Sequence, residues 1–112
     1  MARILRGEIR WAHLDPARGH EQAGSRPIFV ISHDVFNARS GTVIALAMTS
    51  QEPRAGFPLT LESRAPGLSK RSWIKISQIR TLSTERIGRR LARAFDEEVA
   101  RVIEGVAEIV GG

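Results

Sequence analysis

Hydrophobic and polar positions change their period once along the chain. Up to Leu82 the apolar residues alternate or fall in short runs, and beyond Phe95 they recur at helical spacing. Glu8 to Leu14 alternates, with Ile9, Trp11 and His13 on one face of a half-buried strand that Leu14-Asp15-Pro16 stops. Asp15 to Arg26 contains Pro16, Gly19 and Gly24 with almost no apolar residue, which predicts a long polar loop. Pro27 to Ser32 is a β-branched, buried strand opened by Pro27. Asp34 to Gly41 reads as a turn or a single helical turn, and Thr42 to Met48 as a second buried strand ending at Thr49-Ser50. Phe57 to Leu61 alternates as a fourth strand, between loops at Gln51–Gly56 and Arg64–Lys70. Ser72–Ile76 and Ile79–Leu82 predict two short strands around Ser77-Gln78. Val99, Val102, Ile103, Val106 and Val110 then mark one amphipathic helix, with Asp96 as its N-cap and Glu97 and Glu98 at its positive end. The expected fold is mainly β with a C-terminal α-helix: a small barrel capped by that helix, as one domain over residues 1–112.

Composition narrows the chemistry. The 112 residues include no cysteine, which excludes disulfides, Cys-ligated zinc, iron–sulfur clusters and thiol catalysis. Charge is unevenly placed: residues 1–93 carry 16 Lys+Arg against 7 acids, and residues 94–112 one Arg against five acids. Only Lys70 and Lys75 among the basic residues are lysines. The Arg fork suits two-point contact with phosphate, so a polyanionic partner competes with a plain codon bias as the explanation. The longest apolar run, Val43 to Met48, is far below a membrane span, and Met1–Arg10 lacks the apolar stretch of a secretory signal. A cytoplasmic protein without a membrane partner is expected.

The motifs for familiar chemistries are missing. His13, His20 and His33 are not at paired-ligand spacing, and no Walker loop or nucleophile elbow occurs. What remains is the stretch Gly19-His20-Glu21-Gln22-Ala23-Gly24-Ser25-Arg26-Pro27, which sets an imidazole, an acid, an amide and an Arg before a rigid strand. Thr49-Ser50-Gln51 follows another strand. Cleavage of RNA without a metal needs a proton acceptor for the ribose 2′-OH, stabilisation of the extra phosphorane charge, and a proton for the 5′-oxygen. Arg, Thr, Glu and His suffice for those roles, although the same loop also reads as a solvated connection.

Taken together, Gly7-Glu8-Ile9, Leu14-Asp15-Pro16, Glu21-Gln22-Ala23-Gly24-Ser25-Arg26-Pro27, Ala47-Met48-Thr49-Ser50 and Ser77-Gln78-Ile79-Arg80-Thr81 resemble, in order and spacing, the MazF/PemK (Kid) toxins. The resemblance implies an SH3-like (CcdB/PemK-type) barrel that forms a homodimer. It also implies a metal-independent, sequence-specific endoribonuclease acting on single-stranded RNA with no cofactor. Its products would be a 2′,3′-cyclic phosphate and a 5′-hydroxyl, and a cognate antitoxin with an acidic, partly disordered segment would be its partner. Arg26 and Thr49 match the family's catalytic Arg and Thr, and Glu21 its Glu. Because a guanidinium keeps its proton far into the alkaline range, Arg26 fits transition-state charge better than base catalysis. Glu21 either orients Arg26 or receives the 2′-OH proton.

His20 stands where the family usually has Ser or Thr, and brings an imidazole beside the site, against the simpler reading of a solvated loop histidine. Gln78 and Asn37 are candidates for reading base edges, against the simpler reading of turn-stabilising amides. Arg80 is a candidate phosphate contact, against a surface ion pair; Gln22 and Ser50 complete the substrate-binding set. Ser77 replaces a frequent family acid, so no role of that acid carries over, and His13 reads as structural. Two other functions compete. A CcdB-like gyrase poison shares the fold but ends in a Trp-Gly-Ile type tail, where this chain ends Ile109-Val110-Gly111-Gly112. A non-catalytic nucleic-acid-binding barrel would not demand Thr49.

Overall fold

The structure, a computed structural model, describes residues 3–14 and 24–111. Six strands, β1 (Glu8–Leu14), β2 (Gly24–Val30), β3 (Thr42–Thr49), β4 (Thr60–Glu62), β5 (Trp73–Ser83) and β6 (Ile87–Arg93), form one antiparallel sheet in the order β4-β5-β3-β2-β1-β6. Helix α1 (Asp34–Ser40) links β2 to β3, a 3-10 turn (Thr84–Arg86) links β5 to β6, and α2 (Asp96–Val110) follows β6. The expected mainly β fold with a C-terminal helix is the one observed.

Several boundaries differ from the sequence-based expectation. Strand β2 starts at Gly24, so Arg26 lies in a strand and Pro27 inside it, opposite Trp11 of β1. Strand β2 meets β3 only from Ile28 onward, which makes its first half an edge, where a proline costs no ladder bond. Helix α1 runs two turns, ended by Gly41 at φ 71°. The fourth strand is Thr60–Glu62 and leaves out Phe57–Leu59. The two strands expected around Ser77-Gln78 are one strand, β5, with an offset: Leu46 pairs with Ile79, but Ala47 pairs with Lys75. Ile76, Ser77 and Gln78 are left over as a bulge. Strand β6 was not anticipated. Its sequence, IGRRLAR, has no apolar run, and its strand geometry comes from pairing with β1 through Glu8–Arg93, Ile9–Ala92 and Ala12–Ile87.

Buried apolar residues form two clusters. The first joins Ile9, Phe29, Leu46, Met48, Ile74, Ile76 and Ala92 to Val102 of α2. Ala12, Ile28, Val30, Val43, Ala45 and Leu82 make the second. Strands β2 and β3 supply alternate residues to both, so they are apolar on each face. Strand β1 buries Glu8 and Ala12 as well as Ile9, while His13 is exposed with its Nδ1 3.0 Å from Ser25 Oγ.

Helix α2 begins one residue earlier than expected: Phe95, in place of Asp96, holds the N-cap position without a side-chain bond, and Asp96 is already helical. Val102 and Gly105 are its buried residues, while Ile103 and Val110 face outward. A Cβ on Gly105 would lie 2.9 Å from Ile76 Cδ1 and 3.3 Å from the Pro58 carbonyl, so the helix seats on the sheet through that glycine. Glu98 anchors its first turn by accepting from Ser63 Oγ and the Arg64 N–H, each at 2.6 Å.

The N-terminal segment is clamped by polar groups. Buried Glu8 accepts from the Leu5 N–H at 2.8 Å and from Arg10 Nη1 at 3.0 Å, with Arg90 Nη1 at 3.5 Å from its other oxygen. From α1, Asp34 accepts the Arg6 N–H at 2.9 Å, and Asn37 donates to the Ile4 and Ser32 carbonyls at 2.9 and 3.2 Å. Asn37 Oδ1 accepts from the Ser32 hydroxyl. The Arg6 N–H, outweighing partial burial, holds the Asp34 carboxyl below its ordinary value of 3.8, with His33 and Arg3 adding to the effect.

Two predictions follow the clamp. Asn37→Ala leaves buried carbonyls and a hydroxyl unpaired and should destabilise the fold by about 2 kcal/mol, read as a lower urea midpoint with an unchanged slope. Because the folded pKa of Asp34 is depressed, the unfolded chain binds more protons there. Its stabilisation is therefore complete above pH 3.8 and is lost as pH falls through the folded value. Urea midpoints measured across pH 2–6 should depend less on pH in Asp34→Asn than in the parent chain; equal dependence would contradict this assignment.

Candidate functional site

The face of the sheet that carries the second core does not stay apolar to its end. Side chains two apart on a strand share a face, and directly paired residues share it across strands. On β2 that face runs Val30, Ile28, then Arg26; on β3 it runs Val43, Ala45, Ala47, then Thr49. On β5, Leu82 opposes Val43 and Arg80 opposes Ala45; past the bulge Lys75 opposes Ala47. Where β2 loses its β3 partner, this face opens into a cleft of about 330 Å³ lined by Leu14, Arg26, Ile28, Thr49, Lys75, Gln78 and Arg80, among others.

The cleft has an apolar floor and a cationic rim. Ile28 is buried at its base, and Arg26 and Arg80 are exposed at its edge. Its described lining contains three cations and no carboxylate. Among the described residues, no ion pair engages Arg26, Lys75 or Arg80. Several cations held together without acids create a positive potential, and the apolar walls strengthen it by excluding water. Thr49 is half-buried at the end of β3, and its Oγ1 accepts the Gln51 N–H at 3.1 Å. With that bond fixing the hydroxyl oxygen, the O–H remains as a donor toward a ligand.

Of the residues singled out from the sequence, Arg26, Thr49, Gln78 and Arg80 meet in this cleft, although they come from three strands. Asn37 does not. It is buried in α1 with both ends of its amide engaged by Ser32 and Ile4, so it has no group left to read a base. Ser50 is exposed beside Thr49, outside the lining. Glu21, His20 and Gln22 lie outside the described residues. Arg80 has no described carboxylate partner, so the ion-pair reading of it does not hold among those residues. Sequence reasoning missed Lys75, although its place between Ile74 and Ile76 already put it on the opposite face from two core residues.

Residues 5–110 match the model of the family described as the PemK-like, MazF-like toxin of type II toxin-antitoxin system. The chain is 33% identical over 105 residues to endoribonuclease EndoA of Bacillus subtilis (strain 168), covering 92% of this chain and 90% of that protein. It superposes on the crystal structure of MazF from Deinococcus radiodurans with a TM-score of 0.80 at 27% identity, covering 100% of both chains. It superposes on MazF in a MazE-MazF crystal structure from the same organism with a TM-score of 0.81 at 27% identity, covering 99% of this chain and 98% of that one. With nearly its whole length matched and its fold shared, the chain belongs to the PemK-like, MazF-like toxin family of type II toxin–antitoxin systems.

Proposed function

We propose that this chain is an endoribonuclease toxin that cleaves single-stranded RNA at the Arg26–Thr49 cleft, without a metal. The observation that carries the reading is the convergence of Arg26 and Thr49 from separate strands on a cationic cleft whose described lining has no acid. The endoribonuclease relative supports the reaction class.

In the proposed step the ribose 2′-oxygen attacks the adjacent phosphorus. A 2′-O–P bond forms and the P–O5′ bond breaks, leaving a 2′,3′-cyclic phosphate and a 5′-hydroxyl. The guanidinium of Arg26 donates to a non-bridging oxygen and toward the departing 5′-oxygen, where charge grows in the transition state. Thr49 donates its O–H to the other non-bridging oxygen. The 2′-OH proton passes to the Glu21 carboxylate, the Arg26 guanidinium gives a proton to the departing 5′-oxygen, and solvent carries the proton from Glu21 back to Arg26 after the products leave. His20 and Gln22, in the same stretch as Glu21, and Ser50 beside Thr49 contact the substrate around the scissile phosphate. Gln78 carries both a donor and an acceptor at the cleft and takes the base-reading role. Arg80 holds phosphate. The toxin works as a homodimer and is neutralised by an acidic antitoxin segment, a partnership that the MazE-MazF complex of the D. radiodurans relative supports.

Long single-stranded RNA incubated in excess EDTA should yield discrete fragments with 5′-hydroxyl ends. Arg26→Ala should lower kcat by roughly 10²–10³-fold, as removal of an oxyanion donor does elsewhere, and Thr49→Ala should lower it in the same direction. Intact RNA that nonetheless binds tightly would favour a non-catalytic binding barrel, and trapping of gyrase on DNA would favour a CcdB-like poison.

The base can be identified from pH dependence. With Glu21 as acceptor, kcat/KM shows an acidic limb that Glu21→Gln abolishes. An acidic limb that survives in Glu21→Gln and disappears in His20→Gln would transfer the role to His20.

A further inference from the structure

The proposed chemistry asks for a well-placed guanidinium, and the described cleft face does little to place it. On that face the cross-strand neighbours of Arg26 are Ala12 directly and Leu14 diagonally, and neither side chain can bond a guanidinium. Among the described residues no hydrogen bond or ion pair engages the Arg26 side chain. Its backbone is also supported from one side only. Strand β3 meets β2 from Ile28 onward, so among the strands β1 alone pairs with residues 24–27.

The restraint on this half-strand comes from the opposite face. Trp11 opposite Pro27 and His13 opposite Ser25 are the direct pairs on either side of Ala12 and Arg26. Both pairs project away from the cleft, to the side of Ile9 and Phe29 in the first core. Trp11 and Pro27 line one pocket together with Ile9 and Met48, so the inner pair continues the apolar face. The outer pair is joined by a polar contact, 3.0 Å between His13 Nδ1 and Ser25 Oγ. Because the hydroxyl can donate or accept, that bond forms with either tautomer of the ring and with the protonated ring. His13 is itself anchored: its carbonyl accepts from Arg86 Nη1 at 3.3 Å, and Ala12 beside it pairs with Ile87 of β6. A path of bonds therefore runs from the 3-10 turn through His13 and Ser25 to the residue next to Arg26.

Resting on the ribonuclease reading, we propose that His13 and Ser25 form a brace behind the cleft and are positioning residues for Arg26. Neither touches the substrate. Their bond limits the motion of the outer end of β2, so the guanidinium meets the phosphorane oxygens with little freedom left to lose. Arg26 bonds most strongly where charge grows in the transition state. Loosening the brace therefore lowers kcat and leaves KM unchanged.

The test reads motion and turnover separately, on the full chain. In NMR relaxation the backbone amides of Ser25 and Arg26 should show order parameters near the rigid value of about 0.85, falling toward about 0.6 in His13→Ala and in Ser25→Ala. Cleavage of single-stranded RNA by each variant should show kcat lowered roughly three- to tenfold, the loss of one neutral hydrogen bond, with KM retained. The double variant should be no slower than either single one, since the two side chains make one bond. His13→Asn, whose amide reaches the place of Nδ1, should recover most of the rate. In an Arg26→Ala background, His13→Ala should change kcat no further, because the brace acts only through Arg26. That comparison also separates the brace from a general loss of folding, which would slow both backgrounds alike. Order parameters unchanged in both single variants overturn the assignment. So does a raised KM with kcat intact, or a kcat loss that persists without Arg26. If the parent chain leaves RNA intact, the ribonuclease reading itself is overturned, while the order parameters still decide whether the brace exists.

Discussion

The short connection between β5 and β6 constrains everything else in the fold. Three residues, Thr84–Arg86, join strands that are separated in the sheet by β3, β2 and β1. At about 4.8 Å between neighbours, a flat sheet would hold β5 and β6 roughly 19 Å apart. A 3-10 turn rises only about 2 Å per residue. The sheet must therefore curl until its two sides meet. The turn is fastened where it crosses: the Thr84 N–H and hydroxyl donate to the Gly41 carbonyl at 3.0 and 3.2 Å, and Arg86 Nη1 donates to the His13 carbonyl at 3.3 Å. Curling brings β5 and β6 residues into common packing, with Ile74 and Ile76 beside Ala92 in one cluster and Leu82 beside Ile87 in the other.

A curled sheet with two apolar faces has to cover both, and it covers them unequally. Helix α2 closes the first face through Val102 and Gly105, and Glu98 ties it to the 63–64 segment. Among the described residues no helix of comparable length lies over the second face, which runs out into the cleft at its Arg26–Thr49 end. The uneven charge along the chain then has a spatial meaning. The acids of residues 96–108 sit on the helix that covers one core, while the cleft continues from the other, on the opposite side of the sheet. Acid and cation are kept apart by the sheet, and the potential at the cleft is not cancelled by the acidic tail.

The same division explains why so few side chains define the site. A strand end where the partner stops pairing offers rigid backbone on one side and open space on the other. Arg26 is exposed yet carried on a strand bonded to β1, and Thr49 is fixed by its own turn through the Gln51 N–H. Groups held in place before a ligand arrives lose little freedom when it binds.

Local pattern was enough for the elements whose residues commit them individually. The alternation of Glu8–Leu14, the apolar run of Thr42–Met48 and the helical spacing after Phe95 each appear in the fold within a residue or two of their expected limits. The motif around Arg26 and Thr49 likewise identified two residues that do share a cleft. Pattern failed where a residue's neighbours lie far along the chain. Strand β6 is Arg-rich and becomes a strand because β1 offers it a ladder, and Pro27 sits inside β2 because β3 has stopped pairing there. From the sequence Asn37 is open to two readings, a base contact or a structural amide, and only packing against Ile4 and Ser32 decides for the structural one. The face on which Lys75 emerges depends on three bulged residues whose offset exists only relative to β3. The sequence determined which segments could extend or coil, since that preference is written in neighbouring side chains. Only the tertiary structure decided which faces meet and which cations share a cleft, because register and curvature are properties of strand pairs rather than of strands.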